Sequence, residues 1–343
     1  MIRAVAEARA TLETLVGEPV EAAEFSSAVE AGVRRVMDFD GWCLFGMDPV
    51  TGLRIAQFGG RGTDYTTDLA RNEAVMTDVN GFRQLSRRAV PAGWLSSEHP
   101  GATHSFRFNE IIRPSGFWSE LRFLLRDRAG VWGGLTLFSE SASKPFDDQA
   151  LRRMSALADP LTRAVRAFPV RDLPRRGDAP SVGIVAMSPE HGIVGISEGA
   201  QAWLDDLVPG GPDDETTAEN MTRVAHDAAY AVRRGERARA AACLRTARGH
   251  WLRVEAVPMA VGEADVAVTF QPASIGHVAE TVSDACGLTA RERDVVHLLL
   301  RGEPSKQIAR RLDLSVLTVN GHLQSVYRKC RVRGRDELFA RLT

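Results

Sequence analysis

The 343-residue sequence has little of several things, and each shortage removes a class of explanation. Cysteine occurs four times, at Cys43, Cys243, Cys286 and Cys330, with no CxxC pair and no Cys/His cluster, so neither a disulfide framework nor a zinc site is expected. The ordinary reading of such scattered cysteines is four small buried hydrophobes. Lysine is nearly absent: only Lys144, Lys306 and Lys329 stand among 43 basic residues, the rest being arginine. No apolar run approaches the ~20 residues that cross a bilayer, and the opening MIRAVAEARA is charged from its first turn, so a cytoplasmic protein without a membrane partner is expected. No Walker A loop, GxGxxG after a strand, HExxH or GxSxG is present, which leaves no catalytic residues, cofactor or metal to assign and argues against an enzyme.

What is present is an uneven distribution of charge. The net charge is -1, yet from Leu288 onward twelve basic residues face six acidic ones, a net of +6, leaving -7 for everything before. A small basic module that meets a polyanion, joined to a larger acidic part that does not, fits that split.

Hydrophobic periodicity divides the chain further, with no repeat of fixed period. Phe25, Val29, Val33 and Val36 share a helical face ahead of a strand at 42 to 48. Residues 119 to 141 predict two strands around a turn at Asp127 to Gly130, then one helix from about Phe146 to Ala167. The proline-rich "PVRDLPRRGDAP" predicts a linker. After it come a strand pair over 181 to 197 with a turn at Pro189 to Gly192, and a short helix from Glu198 to Leu207. A longer helix over 216 to 234 has Thr216 and Glu219 at capping-box spacing, Met221, Val224, Ala225, Ala228 and Val232 on one face, and Gly235 as its stop. Two more strands are predicted, in "HWLRVEAVPM" and at 264 to 270. Ile275, Val278, Val282 and Ala285 then have the spacing of a short amphipathic helix that connects domains, pairs with a second subunit, or packs on its own domain.

The last stretch is four short helices. Thr289 and Glu292 have capping-box spacing ahead of Val295, Val296 and Leu299; Gly302 ends the first helix, and Ile308, Ala309 and Leu312 mark the second. In the third, Asn320-Gly321 is a hairpin-turn dipeptide, but Val316, Val319, Leu323, Val326 and Cys330 follow each other at three, four, three and four, a helical stripe behind Ser315 as N-cap. A hairpin would break the stripe, so the helix is preferred. Its opposite face then presents Leu317, Asn320, Gly321, Gln324 and Arg328, beside a strip of Thr318, His322, Ser325 and Lys329. Asn and Gln amides pair with adenine edges, Arg with guanine or phosphate, and glycine lets a helix come close to bases.

Residues 288 to 338, from "LTARERDVV" through "KQIARRL" to "YRKCRV" and Arg335, resemble the LuxR-type helix-turn-helix domain of bacterial transcription factors. The resemblance implies that the helix from Ser315 lies in the major groove and that the last helix, about Arg335 to Leu342, pairs two subunits. It implies base contacts from Asn320, Gly321 and Gln324, and backbone contacts or helix positioning from Lys306, Thr318, His322 and Lys329. Leu317 and Asn320 stand where lysine is common; Pro304 replaces a capping Ser and Gln307 a Glu, with Ser305 expected as a shifted cap. The stretch "GFWSELRFLLRDRAGVWGGLTLFSES" with Phe146-Asp147 resembles a GAF domain, and Trp42, Cys43, Phe106, Phe108 and Trp118 are the candidates for its ligand pocket. The middle of the chain resembles a PAS fold by element order.

The expectation is therefore a multidomain α+β protein: a GAF-like α/β sensory domain over 1 to 168, a linker over 169 to 180, a PAS-like α+β domain over 181 to 272, a connecting helix over 273 to 287, and an all-α four-helix helix-turn-helix domain over 288 to 343. Its expected partners are double-stranded promoter DNA, a second copy of the chain, and an unknown small-molecule or protein signal. The competing reading is a ligand-binding or protein-interaction module whose C-terminal helices no longer bind DNA.

Overall fold

The computed structural model describes residues 2–16, 20–62, 67–74, 76–170, 175–190, 192–207, 215–233 and 240–342. The turn at Pro189 to Gly192 includes His191, and the stop at Gly235 and the side chains of Thr216, Glu219 and Met221 likewise lie outside what is described.

Helices α1 (Ile2–Thr14) and α2 (Ala22–Arg34) precede strands β1 (Gly41–Met47) and β2 (Arg54–Gly59). Short helices α3 (Thr67–Ala74) and α4 (Phe82–Leu85), strand β3 (Ala92–Ser96) and a π-helical turn at Arg107–Ile112 lead to β4 (Ser119–Asp127) and β5 (Gly130–Ser139). The five strands form one antiparallel sheet in the order β2-β1-β5-β4-β3. Strand alternation sends Leu121, Phe123 and Leu125 of β4 toward a core shared with Phe25, Val29 and Val33 of α2 and Leu161, Ala164 and Val165 of the closing helix.

That closing helix is two, not one. Asp147 caps α5 (Asp148–Ser155) by accepting a hydrogen bond from the Ala150 amide at 2.8 Å, and α6 (Ala158–Ala167) begins anew after Leu157. Pro160 explains the break: it has no N–H for the Ala156 carbonyl one turn back, and its ring would press on that carbonyl in a continuous helix.

A second sheet follows. Strands β6 (Gly183–Met187) and β7 (Ile193–Ile196), helices α7 (Glu198–Asp206) and α8 (Glu215–Arg233), and strands β8 (Ala240–Arg245), β9 (Trp251–Val261) and β10 (Ala264–Pro272) give the order β7-β6-β10-β9-β8. Counted within each sheet, both read second, first, fifth, fourth, third. Its core packs Val254, Val268 and Phe270 against Trp203 and the alanines Ala225, Ala228 and Ala229, and it takes in Leu53 and Ile55 from the β1–β2 hairpin.

Helix α9 (Ile275–Ala285) is capped by Ser274 and buries Val278, Ala279 and Val282 within the chain, against Val170, Trp251 and the C-terminal helices. The start of the linker stretch is thus part of a core: Val170 is 8 % exposed. Helices α10 (Ala290–Leu300), α11 (Ser305–Leu312), α12 (Val316–Cys330) and α13 (Arg335–Leu342) complete the chain. Among the described residues no helix is long and apolar enough to cross a membrane.

Candidate nucleic-acid interface

Local chemistry sets each end of the C-terminal helices. Thr289 and Glu292 form the reciprocal capping box at the start of α10, the Thr289 amide donating to Glu292 Oε2 at 2.7 Å. Helix α11 starts at Ser305 with Pro304 in the cap position and no side-chain cap bond, so Ser305 does not serve as the shifted cap. The proline ring holds φ near the value the cap position needs, and the helix opens one residue later with the Gln307 and Ile308 amides on the Pro304 carbonyl. At the other end Asp313 takes a left-handed conformation (φ 52°), and Arg291 Nη2 donates to the Leu312 carbonyl at 2.9 Å, a cation placed at a helix C-terminus. The tight turn at Asp313 and Leu314 sets α11 against α12. Ser315 caps α12, accepting from the Thr318 amide at 3.0 Å.

Val319, Leu323, Val326 and Cys330 bury one side of α12 against Val295, Val296 and Leu299 of α10, Ile308 and Ala309 of α11, and Leu338 of α13. Val316, at the first turn, escapes that stripe at 38 % exposed. The opposite side is open: Leu317 is 83 % exposed, and Asn320, Gly321, Gln324 and Arg328 are all exposed with it. A Cβ added at Gly321 would meet nothing within 4 Å, and its backbone is helical, so neither crowding nor conformation requires glycine there. A glycine in a helix interior costs about 1 kcal/mol against alanine. The fold therefore tolerates this residue and does not ask for it.

The remaining predicted residues divide. Lys306 and Thr318 are exposed, and His322 is half-buried. Ser325 is half-buried, and Lys329 is turned inward onto Glu292, which is 4 % exposed: Lys329 Nζ donates to Glu292 Oε2 at 2.6 Å and to the Gly287 carbonyl at 3.3 Å. Burial alone would raise the Glu292 pKa; the Lys329 ammonium, the Thr289 amide and the Ser325 hydroxyl outweigh it and hold the carboxyl at about 2. Glu292 is thus the hub that fixes α12 to α10. It was legible in the sequence as a cap, but its pairing with Lys329, far along the chain, was not. In α13, Leu338 and Leu342 are buried in the module's own core, leaving Arg335, Asp336, Glu337 and Ala340 on the exposed side.

The five candidate pocket residues do not converge. Trp42 and Cys43 are neighbours in β1 and point to opposite faces of the sheet: Trp42 is buried in the main core, and Cys43 is half-buried on the other side. Phe108 packs with Leu95, Ile112 and Phe117, Phe106 packs with Leu69, Ile111 and Tyr230, and Trp118 is 37 % exposed with the Arg113 guanidinium 3.8 Å above its ring. The face away from α2 and α6 instead holds a sealed network of charge. Arg107 Nη2 donates to Glu120 Oε2 at 2.9 Å and its amide to Asp78 Oδ2 at 2.8 Å; Arg122 bridges Glu120 at 2.7 Å and Glu73 at 2.6 Å. Burial works against charge throughout this cluster, yet the facing guanidinium groups keep Glu73 below the usual carboxylate range, and hydrogen bonds from Ser105, the Arg107 amide and Asn72 do the same for Asp78. The signal in the sequence was Glu120 and Arg122 alternating with the apolar Leu121 and Phe123 in β4. A cleft of about 270 Å³ opens elsewhere, at the β3 edge between Arg88, Trp94, His99 and Asp148.

Comparison with known proteins places the C-terminal helices. Residues 287–342 match the family of bacterial regulatory proteins, luxR family. The putative HTH-type transcriptional regulator YhjB of Escherichia coli strain K12 is 35% identical over 85 residues, 24% of this chain and 42% of that protein. The nitrate/nitrite response regulator protein NarL of the same strain is 42% identical over 59 residues, 17% of this chain and 27% of that one. The chain thus spans less than half the length of these curated relatives. Among solved structures, the GAF domain of a two-component sensor histidine kinase from Bacillus halodurans overlays with a TM-score of 0.31 and 8% identity, over 43% of this chain and 94% of that domain. By sequence match and by the order and capping of its helices, the segment 287–342 is a LuxR-family helix-turn-helix domain.

Proposed function

We propose that the chain is a transcriptional regulator that binds promoter DNA as a dimer through α12. Residues 1 to 168 are its GAF-like sensory domain and 181 to 272 a PAS-like domain; the linker at 169 to 180 and the helix within 273 to 287 join them to the DNA-binding module. The observation that carries this reading is the outer face of α12, where two amides, an arginine and a glycine the fold does not need stand together on a helix anchored on its other side. Asn320 and Gln324 read base edges, Gly321 lets the helix approach them, and Arg328 takes a guanine or a phosphate. Lys306, Thr318 and His322 meet the backbone. Ser315 sets the start of the helix, while Ser325 and Lys329 act through Glu292 to hold its angle. With Leu317 and Asn320 where a basic residue would add attraction, affinity depends on amide contacts and on a second subunit, whose spacing must match half-sites about one helical turn apart. A small-molecule or protein signal received in the acidic part changes the spacing or availability of the two modules.

The test is binding of the full chain to a randomised double-stranded DNA library and to the sequences it selects, at several salt concentrations. Gln324→Ala should relax sequence preference, costing about 1–3 kcal/mol on the preferred site, and Lys306→Ala should weaken all sequences alike and lower the salt slope by about 1. Equal losses on every sequence for both variants would show that the base-reading face is misassigned.

A further inference from the structure

The outer face of α12 carries one residue that its polar neighbours do not explain. Leu317 is 83 % exposed, and among the described large hydrophobic side chains only Ile2, at the start of the chain, is more open. Val316 beside it is 38 % exposed, and neither belongs to the core that Val319, Leu323, Val326 and Cys330 enter. A single exposed leucine is ordinary on a protein surface. What sets this one apart is where the helix holds it.

Three features fix that place. Successive residues of a helix advance by about 100°, so Leu317 shares its direction with Gly321, Gln324 and Arg328, and Asn320 stands at the edge of the same face; all are exposed. The turn that carries Leu317 is pinned by its cap, where Ser315 accepts from the Thr318 amide at 3.0 Å and the two hydroxyls lie 2.8 Å apart. Side chains on a helix tilt toward its N-terminus, so Leu317 reaches forward over the start of α12, ahead of the Asn320 and Gln324 amides. A leucine has no donor, acceptor or charge, and it gains nothing from a phosphate or from the polar edge of a base. One base presents an apolar group in the major groove: thymine, whose C5-methyl stands beside its O4 acceptor. The two amides match adenine N6 and N7, and every adenine brings a thymine across the pair.

We infer that Leu317 reads the 5-methyl group of a thymine and is a specificity-determining residue of α12. Resting on the DNA-binding reading above, Leu317 then sets a feature of the DNA site. Each half-site carries a thymine where it meets the N-terminal end of α12, and that thymine cannot be exchanged for another pyrimidine without loss. From Leu317 to Gly321 the helix rises about 6 Å, close to two base-pair steps of about 3.4 Å, so the leucine faces a base pair ahead of those the amides meet. Packing the side chain on the methyl takes apolar surface of both away from water. A lysine at this position would instead reach for phosphate and carry no sequence preference.

The experiment removes the methyl group alone. The full chain selects its site from a randomised double-stranded library, and each thymine of one selected half-site is then replaced by deoxyuridine, which keeps every hydrogen-bonding atom and lacks only the methyl. One of these replacements should weaken binding by roughly fourfold, the contribution of a single buried methyl group. Leu317→Ala should bind the thymine and deoxyuridine forms of that site equally, while still discriminating against changes of the adenines. Leu317→Met, apolar and of similar volume, should keep the preference for thymine. Neither substitution touches a core residue, and unfolding curves matching that of the native chain exclude a folding defect as the cause. A Leu317→Ala chain with the thymine preference intact, or a selected site in which every thymine accepts deoxyuridine without loss, overturns the assignment and leaves the DNA-binding reading standing. A chain that binds no DNA, or selects no sequence, overturns both.

Discussion

Two regions of the molecule bury a carboxylate with a cation, and they use it differently. In the first sheet Glu120 is shared by Arg107 and Arg122, with Glu73 and Asp78 behind them, and Arg107 and Glu120 are each 1 % exposed. In the C-terminal module Glu292 takes one lysine, on the inner edge of a helix whose outer face is bare. Buried ion pairs are poor sources of net stability because each charge gives up its hydration, but breaking one leaves its partner unpaired at large cost. The first network therefore specifies how one interior packs. The second specifies the angle at which a surface is presented, and that difference separates a core from a working face.

The comparison can be strained from both sides. Arg107→Met removes one of the two guanidinium groups that hold the buried Glu120, leaving only Arg122, and should destabilise the chain by about 3 kcal/mol in denaturant unfolding; DNA affinity measured where the variant remains folded should be unchanged. Glu292→Gln should cost about 2–3 kcal/mol and weaken DNA binding as well, because α12 loses its anchor. Losses of both kinds in Arg107→Met would erase the distinction. The same carboxylate gives the module a pH signature. Its folded pKa of about 2 lies below the 4.5 of a free glutamate, so its contribution is whole above about pH 4.5 and is lost as pH falls toward 2. Acid titration followed at Tyr327, on α12, should show a transition in that window that Glu292→Gln lacks. Leu317→Lys is the gentlest change: stability within about 0.5 kcal/mol, and a steeper salt dependence of DNA binding, by about 1 in the log–log slope.

How much of this was legible from the residues follows from what kind of signal each part has. The C-terminal helices were readable because caps and the three-four stripe are local: Ser315, Thr289 with Glu292, and Val319 to Cys330 stand where spacing placed them. Strands β2, β3 and β8 went unread. β3 is five residues with Gly93 inside and Pro91 before it, β2 is short and runs into Gly59-Gly60, and the alanines of β8 favour a helix until the neighbouring β9 claims them. The shared strand order of the two sheets left no periodic trace, because topology constrains burial and not residue identity. The five pocket candidates lie apart for a related reason: adjacency in sequence at Trp42-Cys43 means opposite faces in a strand. The Lys329–Glu292 pair and the Arg107 cluster were invisible because each joins residues that only the fold brings together.

The central claim is that the outer face of α12 is shaped for a partner and not for the fold, and Gly321 tests it most directly. Gly321→Ala should be measured for unfolding free energy and for affinity toward a selected DNA site in the same buffer. The account predicts opposite signs: stability up by about 0.5–1 kcal/mol, because alanine is the better helix residue and meets open space, and DNA affinity down, because its methyl holds the helix away from the base edges. A variant that gains stability and binds DNA as well as before would contradict it.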